Sequence, residues 1–104
     1  MDFTHRVYAL CARVPRGKVT TYREIARAMR TTAYRAIGQA LRRNPYAPKV
    51  PCHRVVASDG TIGVFRGCTA GKSIKDKIRM LGREGVQFTG NRVRDFAQKI
   101  HKFR

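Results

Sequence analysis

Acidic residues are scarce in this sequence: 6 aspartates and glutamates stand against 23 lysines and arginines in 104 residues, a formal net charge of +17. That imbalance excludes a neutral surface and sets up a positive field that draws phosphate backbones or anionic membranes. Membrane insertion lacks its sequence basis, because no apolar run approaches the about 18 residues of a spanning helix. The first residues also lack the apolar core of a signal peptide. Cysteines are few and odd in number, Cys11, Cys52 and Cys68, at no metal-ligand spacing. This argues against a disulfide framework or a zinc site and predicts reduced thiols. Internal repeats and low-complexity segments are missing too. What remains is a soluble, intracellular chain long enough for one core. Nucleic acid is the partner its charge suits best.

What is present centres on Val50-Pro51-Cys52-His53-Arg54-Val55-Val56, a short apolar, β-branched run closed by Ser58-Asp59-Gly60. The run reads as a buried strand that sets a thiol beside an imidazole. Apolar surroundings raise a thiol's pKa and a nearby base or cation lowers it, so His53 and Arg54 bear on whether Cys52 reacts. Two readings stay open here, a nucleophile and an ordinary buried cysteine.

Upstream, Phe3, Val7, Tyr8, Leu10, Cys11 and Val14 recur at helical spacing and Pro15-Arg16-Gly17 stops the helix. Residues 18–22 read as a β-prone piece or as a helix cap. Thr21 with Glu24 has capping-box spacing, which predicts a helix from Tyr22 to Met29 with Ile25, Ala28 and Met29 inward. Thr31-Thr32 opens a further helix from Ala33 to Arg43, with Ile37, Ala40 and Leu41 inward and Arg35, Arg42 and Arg43 outward. The pair has the outline of a helix-turn-helix, or of any helical hairpin with a basic face. Asn44-Pro45-Tyr46-Ala47-Pro48 forms a rigid loop into the central run. Downstream, Thr61 to Phe65 reads as a hairpin partner. Ser73 and Asp76 cap a helix from Ile74 to Arg83 with Ile74, Ile78 and Leu81 inward, and Gly85 stops it. Val93, Phe96, Ile100 and Phe103 are spaced as the face of a final helix, either docked or a basic arm, and docking is the favoured reading.

Pro51-Cys52-His53-Arg54-Val55, preceded by Asn44-Pro45, Tyr22 and a helix bearing Arg35, and followed by Arg83-Glu84-Gly85, resembles the O6-alkylguanine-DNA alkyltransferases. The resemblance runs from about Phe3 to Val86. It implies that Cys52 accepts an alkyl group from O6 of a damaged guanine in duplex DNA, irreversibly and once. His53 is then the general base acting through water, Glu84 the residue that orients it, Tyr22 the donor to the leaving guanine, and Asn44 the hinge to the recognition helix. Adjacent strand residues point to opposite faces, which suits a bridging water between Cys52 and His53. Arg35 resembles the arginine that fills the stack when the nucleotide is flipped out. Ala33, Ala36 and Gly38 suit a minor-groove approach, with Tyr34 and Thr21 beside them at the DNA. Val55, Phe65, Arg66 and Gly67 complete the alkylguanine pocket. No cofactor or metal is implied.

The sequence also departs from that family. Tyr34 stands where a small residue is common. Phe65-Arg66-Gly67-Cys68 replaces the usual Tyr-Ser-Gly-Gly, so the expected substrate range shifts, and Arg66 has a phosphate or the guanine O6 as candidate partners. The expectation is an α/β, mostly helical, winged-helix-like helix-turn-helix domain over 1–104, with a small strand element carrying Cys52 and a basic helix or arm at 91–104. The family's amino-terminal domain is taken as absent, the chain as a monomer, and its place as the cytoplasm, nucleus or nucleoid. A competing reading is a non-enzymatic alkyltransferase-like protein that flags the lesion for another repair pathway. Those proteins typically carry tryptophan or alanine in place of the reactive cysteine, which Cys52 opposes. A plain helix-turn-helix regulator would leave Cys52, His53 and Glu84 unexplained.

Overall fold

The computed structural model describes residues 2–103. Helix α1 (Phe3–Ala12) starts at Asp2, whose carboxylate accepts the His5 N–H at 2.9 Å and so satisfies one of the free donors of a helix start. Strand β1 (Thr20–Thr21) runs straight into helix α2 (Tyr22–Met29). Thr21 is both the last strand residue and the cap, its hydroxyl accepting the Glu24 N–H at 3.1 Å. Both readings of 18–22 are therefore realised. The buried face of α2 is Ile25, Ala26 and Met29, and Ala28 is exposed, contrary to expectation. Ala26 falls on the flank of the Ile25 to Met29 stripe that Tyr22 continues, and Ala28 on the other flank.

A turn with Arg30 in the left-handed region (φ 55°) leads to helix α3 (Tyr34–Arg42). The Thr31 hydroxyl accepts the Ala33 N–H at 3.2 Å, and Ile37, Ala40 and Leu41 face inward as expected. The buried Tyr8 hydroxyl donates to the Ala40 carbonyl at 2.7 Å, tying α1 to α3.

The central heptapeptide is not a continuous strand. Cys52–Arg54 forms a 3-10 turn, and only Val55–Val56 is strand β2. Pro51 has no N–H to give a ladder, and its carbonyl accepts the Arg54 N–H at 2.9 Å, which closes the turn. Cys52 and His53 therefore sit on a turn, where strand alternation does not set the directions of their side chains. Strand β2 pairs in parallel with β1, Thr20 with Val55 and Thr21 with Val56. The expected hairpin from Thr61 to Phe65 does not form, since Lys77 takes the Ile62 and Val64 carbonyls and Thr61 bridges to Arg92.

Helix α4 (Lys72–Arg83) starts at Gly71 without a side-chain cap. Asp76, expected to serve the cap with Ser73, instead meets Arg66 at 3.1 Å and Arg79 at 3.6 Å. Gly85 (φ 90°) ends the helix, with the Val86 N–H returning to the Leu81 carbonyl at 2.9 Å.

The tail docks, though not as one helix. Strands β3 (Phe88–Thr89) and β4 (Arg92–Val93) form an antiparallel hairpin, and helix α5 (Phe96–Lys99) is four residues long. Asp95, at φ 57°, breaks any helix begun at Asn91. The end of the chain lies along β1, with Val19 N–H donating to the Lys99 carbonyl at 3.0 Å and the Thr20 hydroxyl to the His101 carbonyl at 2.9 Å.

Two apolar clusters result. One joins α1, α2 and α3 and includes Val55; the other gathers Val19, Val56, Phe65, Ile74, Leu81, Val86 and Val93. Successive residues of β2 thus feed opposite sides. Cys52 packs against both clusters, at their seam.

Candidate active site

A cavity of about 900 Å³ opens at that seam, and the turn bearing Cys52 and His53 forms part of its wall. The β1 to β2 register explains what lies opposite: Thr21 pairs with Val56, so Tyr22, the next residue, enters the cavity near the Cys52 turn. Burial pushes the Tyr22 phenol above its ordinary value, against the pull of the Val64 backbone, and keeps the hydroxyl protonated and able to donate.

His53 is 3% exposed, and its Nε2 lies 2.9 Å from Glu84 Oε2. Glu84 also takes Arg54 Nε on Oε1 at 2.8 Å and an Arg54 terminal nitrogen on Oε2 at 2.9 Å, while Arg54 reaches the Val14 carbonyl at 2.8 Å. Burial works to raise the Glu84 carboxyl, but the hydrogen bonds and charges of Arg54 and His53 outweigh it and hold the group below its ordinary value. An ionised carboxylate only accepts, so His53 carries its proton on Nε2 and Nδ1 is left as the basic atom. Burial lowers the His53 pKa, with Glu84 opposing, so the imidazole is neutral and able to accept a proton. No hydrogen bond joins Cys52 Sγ to His53 among the described residues.

Asn44 spans the loop before this turn. Its amide donates to the Val50 carbonyl at 2.8 Å and its oxygen accepts the Tyr46 N–H at 2.9 Å, so the end of α3 is braced against the approach to Cys52. Tyr34, Arg35 and Gly38 of α3 line the same cavity, as do Phe65, Arg66 and Gly67. Phe65 is 5% exposed and forms a floor. Gly67 sits at φ 76°, a conformation that favours glycine, and a Cβ there would lie 2.8 Å from Arg42 Nε, so an added side chain would also displace the exposed Arg42 guanidinium.

Some expected residues fall elsewhere. Thr21 is 2% exposed with its hydroxyl spent on the α2 cap, so it offers no side chain to DNA. The Val55 side chain is in the core, and its carbonyl holds Lys77. Ala33 and Ala36 sit at the start and on the exposed face of α3, outside the cavity lining.

Sequence reasoning missed Lys77. It is fully buried, its ammonium held by the carbonyls of Val55 at 2.7 Å, Ile62 at 2.6 Å and Val64 at 3.2 Å. Burial pulls its pKa down to about 7, while a thiolate at Cys52 pulls the other way. A lysine inside the apolar stripe of Ile74, Ile78 and Leu81 was the available signal. Arg23, Arg42 and Met80 also line the cavity.

A family model for the DNA-binding domain of 6-O-methylguanine DNA methyltransferase matches residues 2–86. The chain belongs to this family. Among relatives, it is 38% identical over 89 residues to a methylated-DNA--protein-cysteine methyltransferase of Methanothermobacter thermautotrophicus, covering 86% of this chain and 47% of that protein. The crystal structure of O6-methylguanine-DNA methyltransferase from Pyrococcus kodakaraensis superposes with a TM-score of 0.69 at 42% identity, over 83% of this chain and 47% of the other. S. pombe Atl1, in complex with damaged DNA containing O6-carboxymethylguanine, gives a TM-score of 0.78 at 33% identity, over 97% and 95%. The chain thus spans about half the length of the methyltransferase relatives it matches. Within the family fold, the helix-turn-helix of α2 and α3 and the Cys52 turn share one cavity. No described helix is long and apolar enough to cross a membrane.

Proposed function

We propose that this chain is an alkyltransferase catalytic domain that repairs DNA by moving an alkyl group from guanine O6 to Cys52. The observation that carries the reading is Cys52 in a cavity wall beside a neutral, Glu84-anchored His53, with a protonated Tyr22 entering the same space. In the proposed step the Cys52 sulfur bonds to the alkyl carbon as that carbon's bond to O6 breaks. The thiol proton passes through a water to His53 Nδ1, and the electron pair left on guanine is neutralised by a proton donated from the Tyr22 side. The thioether has no leaving group to regenerate the thiol, so each chain acts once.

Duplex DNA docks on α3 in this reading. Gly38 is not demanded by the fold, since a Cβ there meets nothing within 4 Å, and the space it leaves opens on the cavity. That opening suits the narrow minor groove. Arg35, exposed at the rim, fills the stack once the nucleotide is turned into the cavity, and Tyr34 lies beside it. Ala33 and Ala36 give α3 a low profile at the groove, while Phe65, almost wholly buried, closes the pocket behind the extruded base. The chain acts as a monomer wherever cellular DNA lies.

The test compares the wild type with Cys52→Ala on a duplex carrying one O6-methylguanine. Stoichiometric demethylation by the wild type, lost in Cys52→Ala with lesion binding retained, supports transfer. Binding by both proteins with demethylation by neither supports the non-enzymatic damage-binding reading, and equal loss of binding in the variant makes Cys52 structural.

A further inference from the structure

The first turn of α3 presents Tyr34, Arg35 and Ala36 in succession, all exposed. Arg35 and Ala36 suit the docking reading, one as a stack filler and the other as a low surface. Tyr34 breaks that low profile with a bulky ring that is 48% exposed. Tyr46, exposed to a similar degree, packs edge-on against Tyr8 with ring centres 5.8 Å apart, whereas Tyr34 meets no other ring among the described residues. Nor does the helix need it. The cap residue Ala33 makes no side-chain bond, and tyrosine is a weaker helix former than alanine. Tyr34, Gly38 and Arg42 recur every four residues along one stripe of the cavity wall. Gly38 leaves a notch beside the ring, since a Cβ there meets nothing within 4 Å. An unsupported aromatic ring thus stands at the end of a helix that is otherwise shaped for a narrow groove.

From this placement we infer that Tyr34 is a specificity-determining residue, a wedge that enters the base step beside the lesion and so favours lesions flanked by readily unstacked pyrimidine–purine steps. The inference rests on the alkyltransferase reading and adds a sequence context to its substrate. A minor groove about 6 Å wide does not take a tyrosine ring lying across it together with the helix that bears it. Minor-groove proteins relieve such a conflict by inserting bulky apolar side chains between base pairs, which unstacks and kinks the step. Neighbouring Cα atoms lie about 3.8 Å apart and successive base pairs about 3.4 Å, so with Arg35 in the vacated position Tyr34 reaches the adjoining step. The cost of opening that step depends on its sequence. TA and CA steps unstack easily, while A-tracts are stiff and narrow the groove further. A small side chain at this place leaves the step stacked and the binding nearly indifferent to it.

The experiment uses two duplexes with one O6-methylguanine, flanked on both sides by TA steps in one and by A-tracts in the other, and the same two sequences with plain guanine. Flanking both sides makes the side of entry immaterial. Tyr34→Ala and Tyr34→Phe are compared with the parent in a Cys52→Ala background by equilibrium binding, and with Cys52 present by single-turnover transfer. The position is exposed, so both variants keep the parent's melting temperature within a few degrees. The expected result is a preference of the parent for the TA-flanked lesion of about tenfold, kept in Tyr34→Phe and reduced severalfold in Tyr34→Ala. A context ratio that is the same in the parent and Tyr34→Ala overturns the inference. So does an equal loss in Tyr34→Ala on all four duplexes, which assigns the ring to the sugar-phosphate backbone, or an equal gain, which makes it an obstruction. A parent that binds lesion and plain guanine alike refutes the alkyltransferase reading itself, and the inference falls with it; that pattern is distinct from a lesion preference whose context ratio ignores Tyr34.

Discussion

Replacing Glu84 with glutamine keeps the shape of the side chain and removes its charge. The native carboxylate receives two hydrogen bonds from Arg54, at 2.8 and 2.9 Å, and faces His53 at 2.9 Å. Glutamine retains one acceptor and turns an NH2 group towards a guanidinium or an imidazole N–H. Breaking a buried ion pair by removing one partner costs about 3–5 kcal/mol. Arg54 is 16% exposed by its side chain and keeps the Val14 carbonyl, which places the cost at the lower end, about 3 kcal/mol. At about 4–8 °C per kcal/mol for a domain near this size, the melting temperature falls by about 12–24 °C. The pH dependence has a fixed sign. The folded pKa of Glu84 lies below its unfolded value of 4.5, so its stabilisation is present above that value and is lost as pH falls through the folded pKa. Thermal unfolding followed by circular dichroism across this range should show the gap between wild type and Glu84→Gln closing as the solution becomes acidic. Transfer at neutral pH falls about a hundredfold as His53 loses its anchor. A gap of only a degree or two at neutral pH, or one that is constant with pH, would refute the ion-pair reasoning.

Lys77 has a folded pKa of about 7 against an unfolded 10.5, so the unfolded chain binds more protons between those values and this group makes stability rise with pH there. Between about pH 7 and pH 9, wild type should gain about 2 kcal/mol relative to Lys77→Met, measured by urea unfolding; parallel pH profiles would remove Lys77 as the cause. Arg35→Ala should slow repair of duplex DNA by about tenfold or more while sparing reaction with free O6-alkylguanine, and equal slowing of both would end its stack-filling role. Gly38→Leu should raise stability by about 0.7 kcal/mol through helix propensity, since the Cβ meets nothing, yet weaken duplex binding severely. Calorimetry and fluorescence anisotropy read the two effects, and unweakened binding would move the DNA away from this face of α3.

Local signals with a single physical cause were legible in the sequence. Thr21 with Glu24 marked the start of α2, Gly85 marked the end of α4, and Ile37, Ala40 and Leu41 marked the inner face of α3, because each depends on neighbours a few residues away. The misses depend on distant partners. Val50 to Val56 has strand composition, but Pro51 and a parallel partner thirty-odd residues upstream confine the ladder to Val55–Val56. Ser73 and Asp76 had cap spacing, yet Asp76 is claimed by Arg66 and Arg79. The helical spacing of Val93, Phe96 and Ile100 gave way to pairing of the chain end with Val19. For the candidate site, Cys52, His53, Glu84, Tyr22 and Asn44 were named through the family resemblance, whereas Lys77 answers carbonyls from two separate segments that no spacing rule connects.

The central claim is that Cys52 receives the alkyl group. Intact-protein and peptide mass spectrometry after incubation with a duplex carrying one O6-methylguanine tests it most directly. The expected result is one methyl group per chain, located on Cys52 and absent from Cys11 and Cys68. An unmodified chain that still binds the lesion tightly, or a methyl group on another residue, would contradict it.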